Sequence, residues 1–553
     1  MLRPLLLALA QDSVHAAPRD TAPIAVLERF IVAQMSQHAI PGLAIAVVDG
    51  DRIVWAKGFG RVDPTDSTRN VTAETPFRVA SVSKLFTDIG VMQRVERGRF
   101  HLDSSVALYA SDFAPTLNGM RMPTLRELLK HQSGIVREPP VGHYFDPTSP
   151  SLAATVASLN GKPLVFAPGT VTKYSNAAIA LAGRLLELES EVPFAEVMRR
   201  DLLTPSGMSG ASFAPDSAHR ARRARGTMWT LDGRTFAAPI FPLGLGPARG
   251  LFGLGFALSD LDGARRIGHG GWHYGFATEL AALPDERLGV ALSATIDGGN
   301  AVTSRIADEA LRLMRAARAG RSLTSPLVTT VIPLERRREL EGTYRSRGRT
   351  VVLEDRLGDL WLDDLRGDFP LLLRALDDST LLADGRLRYG TRVTLHRTVN
   401  GVQALHYAGD TLVLVPDARP APPPTRWRPI IGEYGWDHDV LHLLERDGRL
   451  FALIEWFGLY PLTEVDLDHL RFPAHGLYAG ETLRIDRDAA GRVRALDLGG
   501  VIFARRAIAP DDGVTFRITP RRRRTRRPHQ GRSAHQARRT LREQRQLHGR
   551  AHV

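Results

Sequence analysis

The apolar periodicity of this 553-residue chain changes character once, near residue 340, and that change constrains the fold more than any other feature. Before it, Ile24, Leu27, Ile31 and Met35 recur at helical spacing. Residues 43–48 and 52–55 are β-rich and flank Asp49-Gly50, which predicts a hairpin with a type I′ turn. Helical patterns dominate residues 83–208. Residues 277–283 and 288–295 flank Pro284-Asp285-Glu286-Arg287 as a second hairpin, and an amphipathic helix over 301–317 closes the region. Helix and hairpin at both ends with helices between them predict an α+β layer, an antiparallel sheet with helices and a helical subdomain, over residues 20–317.

Beyond residue 340 the pattern shortens to alternating runs with Gly and Asp turns. Residues 351–353, 360–362, 371–373, 392–396 and 411–415 read as strands, Pro420-Ala-Pro-Pro-Pro424 reads as a stiff linker, and a second β-rich block follows. The blocks open alike, with Leu340-Glu-Gly-Thr-Tyr344 and Ile430-Ile-Gly-Glu-Tyr434. They are expected to be two related all-β, barrel-like modules over residues 333–418 and 426–509.

Charge separates the body from the C-terminus. The formal net charge is +13, but twelve arginines against Glu543 after residue 520 account for +11 of it, leaving +2 for residues 1–520. The folded body therefore carries no nucleic-acid signature, and residues 517–553 read as a disordered, arginine-rich tail. Cysteine is absent, which excludes disulfides, a thiol nucleophile and thiolate metal sites. No metal site is expected, since His438 and His442 lie four apart in a β-rich block. No apolar run reaches membrane-spanning length. Arg3, the apolar stretch from Leu5 to Ala10 and the small residues Ala16-Ala17 resemble a secretory leader over residues 1–19, so the expected location is periplasmic or secreted, and otherwise cytoplasmic.

The chemistry begins at Ser81-Val82-Ser83-Lys84, at the start of a helical pattern. Positions i and i+3 share a helix face, so Ser81 and Lys84 meet. A serine needs a base to become a nucleophile, and a desolvated lysine supplies one. Tyr174-Ser175-Asn176 follows a Pro168-Gly169-Thr170 turn into another helix, and His269-Gly270-Gly271 precedes the second hairpin, where glycines let the backbone come close to a ligand. Each signal alone is weak: a capping serine, a capping turn and a loop are the plain alternatives.

Together, in this order, the three elements resemble the motifs of the penicillin-recognising serine hydrolases, the class C β-lactamase and D,D-peptidase superfamily. Ile40-Pro-Gly-Leu-Ala-Ile-Ala46, Phe77-Arg-Val-Ala80 and the stretch from Leu125 to Gly134 extend the likeness across residues 20–317. The resemblance implies an acyl-enzyme on Ser81, Lys84 as proton acceptor and Tyr174 in the proton shuttle. It implies Asn176 as the holder of Lys84 and of a substrate amide, and a cofactor-free reaction on a small molecule or peptide. It places the oxyanion in the backbone N–H groups of Ser81 and Trp272, each such donor being worth about 3 kcal/mol. His269, Gly270 and Gly271 would bind substrate.

Two departures shape the expectation. His269 stands where β-lactamases carry a lysine, which favours an ester or a D-amino acid amide or peptide over a β-lactam, because a neutral imidazole anchors a carboxylate weakly. Two β modules after the catalytic domain resemble bacterial D-aminopeptidases, which share a His-x-Gly third motif. The stretch between Gly226 and Gly255 is shorter than the helical segment usual in the family, which leaves open a second reading, a catalytically impaired binding or scaffold protein. A third reading places the function in anion binding by the tail. The oligomeric state is not legible.

Overall fold

The computed structural model describes residues 21–506 except 231–234, 240–251, 254, 368, 400 and 417–422. The expected leader, the tail, most of the proline-rich linker and most of the shortened stretch lie outside the described residues.

The α+β layer forms as the periodicity predicts. Helix α1 (Thr21–Gln37) buries Ile24, Leu27, Phe30 and Ile31. Strands β1 (Gly42–Asp49), β2 (Arg52–Asp63) and β3 (Asp66–Asn70) follow, and then the helical subdomain, α2 (Val82–Glu96), α3 (Leu125–Leu129), α4 (Leu152–Ala157), α5 (Asn176–Ser190), α6 (Phe194–Met198) and α7 (Ser217–Arg222). A small ribbon, β4 (Thr227–Trp229) and β5 (Thr235–Ala237), precedes β6 (Phe252–Gly253), β7 (Phe256–Leu261), β8 (Ala264–His273), β9 (Phe276–Leu283) and β10 (Leu288–Ala294). Helix α8 (Asn300–Arg318) closes the domain. The main sheet runs β3-β2-β1-β10-β9-β8-β7-β6, so the two hairpins predicted from sequence join through β1 and β10. Val302, Ile306 and Leu313 of α8 pack with Ile24, Leu27 and Ile31 of α1 over one face. The helical subdomain has its own core around α5, buried along its length from Asn176 to Leu186 except at Arg184.

The first turn differs from expectation. A bulge between Val47 and Val48 shifts the register so that Asp49 pairs with Arg52, and the two-residue loop becomes Gly50-Asp51. Of these two only Gly50 has positive φ (69°), which is the type II′ pattern rather than I′.

After α9 (Leu334–Leu340), eight strands form a closed antiparallel barrel, β11 (Gly342–Arg345), β12 (Thr350–Arg356), β13 (Asp359–Asp364), β14 (Leu371–Ala375), β15 (Thr380–Asp384), β16 (Tyr389–Thr398), β17 (Gly401–Tyr407) and β18 (Asp410–Val415). Closure leaves no free edge. The second block divides instead. One sheet holds β19 (Gly432–Trp436), β20 (Asp439–Arg446), β21 (Arg449–Ile454) and β22 (Gly458–Pro461), and the other holds β23 (Thr463–Glu464), β24 (His469–Arg471), β25 (Thr482–Arg487), β26 (Val493–Leu498) and β27 (Val501–Ala504). A single bridge, Tyr434 to Arg505, links their outer strands. The repeated opening has a shared structural use. Tyr344 donates to Leu340 O at 2.9 Å and Tyr434 donates to Ile430 O at 2.7 Å, each phenol buried and tying the first strand to the turn before it.

The second block is not an appendage. Tyr144, Phe145 and Tyr274 of the α+β domain belong to the same apolar core as Ile431, Leu443 and Phe503. Trp229 and Trp272, the barrel's Trp361 and Phe457 of the second block form one cluster where all three parts meet.

Candidate active site

Helix α2 begins against the sheet, and Ser81 is its N-cap residue. A capping serine normally spends its hydroxyl on a backbone N–H. Ser81 makes no such bond. Its Oγ instead accepts from Lys84 Nζ at 3.1 Å and from the Tyr174 hydroxyl at 3.2 Å. Ala80, immediately before it, sits at φ 48°, a left-handed conformation costing on the order of 1 kcal/mol for a non-glycine residue. The chain is therefore bent sharply to present Ser81.

Lys84 is fully buried, and burial holds its amine well below the ordinary lysine range; Glu138 and Asp88 pull the other way and Arg137 adds to the lowering. A neutral amine is the form that is able to accept a proton from a hydroxyl. Asp88, one turn further along α2, is also buried, and burial raises its carboxyl well above the usual range.

Ser175 explains the spacing of the second motif. It caps α5, accepting from Ala178 N at 2.9 Å and donating to Val136 O at 2.6 Å. The cap fixes its two neighbours on either side, Tyr174 toward Ser81 and Asn176 into the first turn of the helix. His131 lies against the Tyr174 ring with centroids 4.1 Å apart and accepts from Ser175 N at 3.2 Å. Burial, then Lys84 and His269, hold His131 well below its ordinary range, so it is a neutral wall rather than a charge. Asn176 departs from expectation. Its Nδ2 donates to Glu138 Oε1 at 2.6 Å, so the amide is oriented by a carboxylate that the motif reading did not include. Glu138 also accepts from Tyr144 N at 2.8 Å, and burial pushes its carboxyl up to about 7.

The third motif lies in β8. A Cβ on Gly271 would fall 2.2 Å from Val79 O, so this glycine admits the chain segment that carries Ser81. His269 is buried, its Nδ1 is bonded to Gly270 O at 2.6 Å, and burial pulls it down to about 4. It is a neutral imidazole at pH 7. Trp272 donates its indole N–H to Asp297 Oδ1 at 2.9 Å and packs against Phe457 at 5.2 Å.

Further residues that sequence reasoning missed come from the second β block. Glu455 accepts from Arg137 at 2.7 Å and from the Tyr478 hydroxyl at 2.7 Å, and Glu481 accepts from Lys173 Nζ and from Arg137 N at 2.8 Å. Arg137 and Lys173 adjoin Glu138 and Tyr174 in the chain, so buried ion pairs from more than 300 residues away brace the second motif. The one sequence signal was a pair of charges, Arg137-Glu138, between Ile135-Val136 and Pro139-Pro140.

Comparison with known proteins agrees with the geometry. The Beta-lactamase family model matches residues 27–253. The chain is 30% identical over 226 residues to Beta-lactamase-like protein 2 of Dictyostelium discoideum, covering 39% of this chain and 41% of that protein. It is 29% identical over 226 residues to the D-alanyl-D-alanine-carboxypeptidase/endopeptidase AmpH of Escherichia coli (strain K12), covering 40% of this chain and 58% of that protein. The chain thus matches about half the length of these relatives. An octameric penicillin-binding protein homologue from Pyrococcus abyssi superposes with a TM-score of 0.48 at 22% identity, over 70% of this chain and 99% of that one. Residues 27–253, which hold the first two motifs and lead into the third, are thus similar to the β-lactamase/transpeptidase-like family.

Proposed function

We propose that the protein is a serine hydrolase that forms an acyl-enzyme on Ser81, acting on a carboxylic ester or a D-amino acid amide or peptide in preference to a β-lactam. The observation that carries this reading is the shared hydroxyl, with Lys84 Nζ and the Tyr174 phenol both within 3.2 Å of Ser81 Oγ in a buried site. In acylation Ser81 Oγ bonds to the carbonyl carbon as its proton passes to the neutral Lys84 amine. The N–H groups of Ser81 and Trp272 receive the oxyanion, and Tyr174 returns the proton to the departing oxygen or nitrogen. Water then attacks the ester with the same groups in reverse roles. Glu138 and His131 act through Asn176 and Tyr174 as positioning residues.

The preference against β-lactams rests on His269, which is neutral and already bonded to Gly270 O, and so supplies no permanent cation. D-amino acid substrates are favoured by the two β modules after the catalytic domain. The alternative, a scaffold without turnover, draws on the burial of Ser81, Lys84, Tyr174, Asn176 and His269 together. Export to the periplasm or medium rests on residues 1–19; among the described residues no helix is long and apolar enough to cross a membrane. The test is intact-mass detection of an acyl adduct after exposure to 4-nitrophenyl butanoate and to ampicillin. A butanoyl adduct in wild type that Ser81→Ala lacks supports the hydrolase. No adduct from either reagent supports the scaffold.

A further inference from the structure

Beyond the groups used above, three nitrogen-bearing side chains gather at the end of β8. Ala224 N donates to Pro76 O at 2.9 Å, and Thr278 Oγ1 donates to Arg78 O at 3.3 Å. The Phe77 ring meets Phe276 edge-on at 6.3 Å. These contacts bring the chain before Ser81, the chain around Arg223 and the β8–β9 turn to one place. His273 lies there, only 5% exposed, with neither ring nitrogen hydrogen-bonded among the described residues. Tyr144 closes over it edge-on, ring centroids 5.1 Å apart.

A buried imidazole with both nitrogens unsatisfied is costly. Water, an ion or a ligand completes such a group. The leading charges that act on it among the described residues are cationic. Burial, then Arg78, Lys84 and Arg223, hold His273 well below its ordinary range. Burial and then Arg223 pull the Arg78 guanidinium itself down to about 10. Arg223, half-buried, is lowered by burial and by Arg220, and it makes no ion pair among the described residues. Cations brought together out of water repel one another, and a bound anion reverses that repulsion. The planar guanidinium fork matches a carboxylate in particular. The position is close to the chemistry, since Arg78 is three residues before Ser81 and His273 follows Trp272 in the strand whose Gly271 backs onto Val79.

We propose that Arg78, Arg223 and His273 form an anion-binding subsite beside Ser81 that receives a carboxylate carried by the substrate. This deepens the hydrolase reading and rests on Ser81 as nucleophile. It also moves anion recognition away from His269, at the opposite end of the motif, to groups that the motif comparison does not include.

The experiment compares 4-nitrophenyl hydrogen glutarate with 4-nitrophenyl butanoate as a charged and a neutral ester. For Arg223→Gln and for His273→Gln, the ratio of kcat/KM, charged over neutral, is expected to fall about tenfold or more through KM, the size of one lost charge-assisted hydrogen bond. Arg223→Lys is expected to restore part of it, and raising salt to shrink the wild-type ratio. A ratio within twofold of wild type in both glutamine variants overturns the subsite. A second readout does not need turnover: free glutarate is expected to raise the Tm of wild type and of Ser81→Ala, and to raise that of Arg223→Gln much less. Equal shifts in all of these proteins overturn the subsite even where no ester is hydrolysed, whereas hydrolysis lost with the glutarate shift intact counts against the nucleophile alone.

Discussion

At the scale of single residues the site is governed by desolvation. Ser81 and Lys84 act as one unit, so Ser81→Ala and Lys84→Ala are each expected to abolish ester turnover to a similar extent, and the double variant to lose little more. Lys84 is a base only when neutral, and burial holds it well below 10.5. The acid limb of kcat/KM is therefore expected to have its midpoint far below that of a solvated lysine, with rate rising as pH rises through it. A pH–rate profile of the neutral ester checks this. Glu138 titrates in the opposite sense for stability. Its folded pKa is raised from 4.5 to about 7, so the unfolded chain releases this proton first and stability falls as pH rises from about 4.5 to 7. Glu279 and Asp297 are raised to about 7 as well and add slopes of the same sign. Glu138→Gln is expected to reduce the slope without removing it, measured as urea midpoints from pH 5 to 8.

At the scale of elements, the glycine of β8 and the loop between β21 and β22 set the geometry. Gly271→Ala drives a methyl toward Val79 O and displaces the segment that presents Ser81. A misplacement of about 1 Å at a nucleophile costs roughly a hundredfold in rate, so kcat is expected to fall by that order. The loop between β21 and β22 holds two consecutive left-handed residues, Glu455 at φ 55° and Trp456 at φ 65°, and carries Phe457 onto Trp229 and Trp272. Such strain persists because the contacts around it over-determine the loop. Glu455→Ala leaves Arg137 buried without its main partner, and is expected to cost about 3–5 kcal/mol in equilibrium unfolding. Glu455→Gln keeps the shape and one acceptor, and is expected to cost less.

At the scale of the whole molecule, the second β block is part of the architecture around the proposed site. Its core takes in Tyr144 and Phe145, and its Glu455 and Glu481 hold Arg137 and Lys173 beside the second motif. Removing residues 423–553 exposes that core, so the shortened protein is expected to aggregate or to lose turnover. Removing residues 521–553 is expected to change neither Tm nor rate, because Leu541, Leu547 and Val553 are the only aliphatic residues beyond alanine there. Melting curves and ester assays on the two truncations distinguish these outcomes.

What the sequence determined by itself is what short-range chemistry dictates. The 3.6-residue spacing of α1 and α8, the hairpins at β1–β2 and β9–β10, and the Ser81–Lys84 contact across one helical turn all depend on neighbours within a few positions. The repeated opening at Tyr344 and Tyr434 was legible for the same reason, since each phenol binds a carbonyl four residues back. Even so, the first turn lies one residue further along than predicted, beside a bulge between Val47 and Val48. The rest needed the tertiary structure. Glu138 on Asn176, Glu481 on Lys173 and His273 beside Arg78 join residues separated by 38 to 308 positions, and no local pattern encodes such partners. Burial decided their protonation as well, because the cost of a charge depends on the dielectric that surrounds it, and only the assembled fold creates that surrounding.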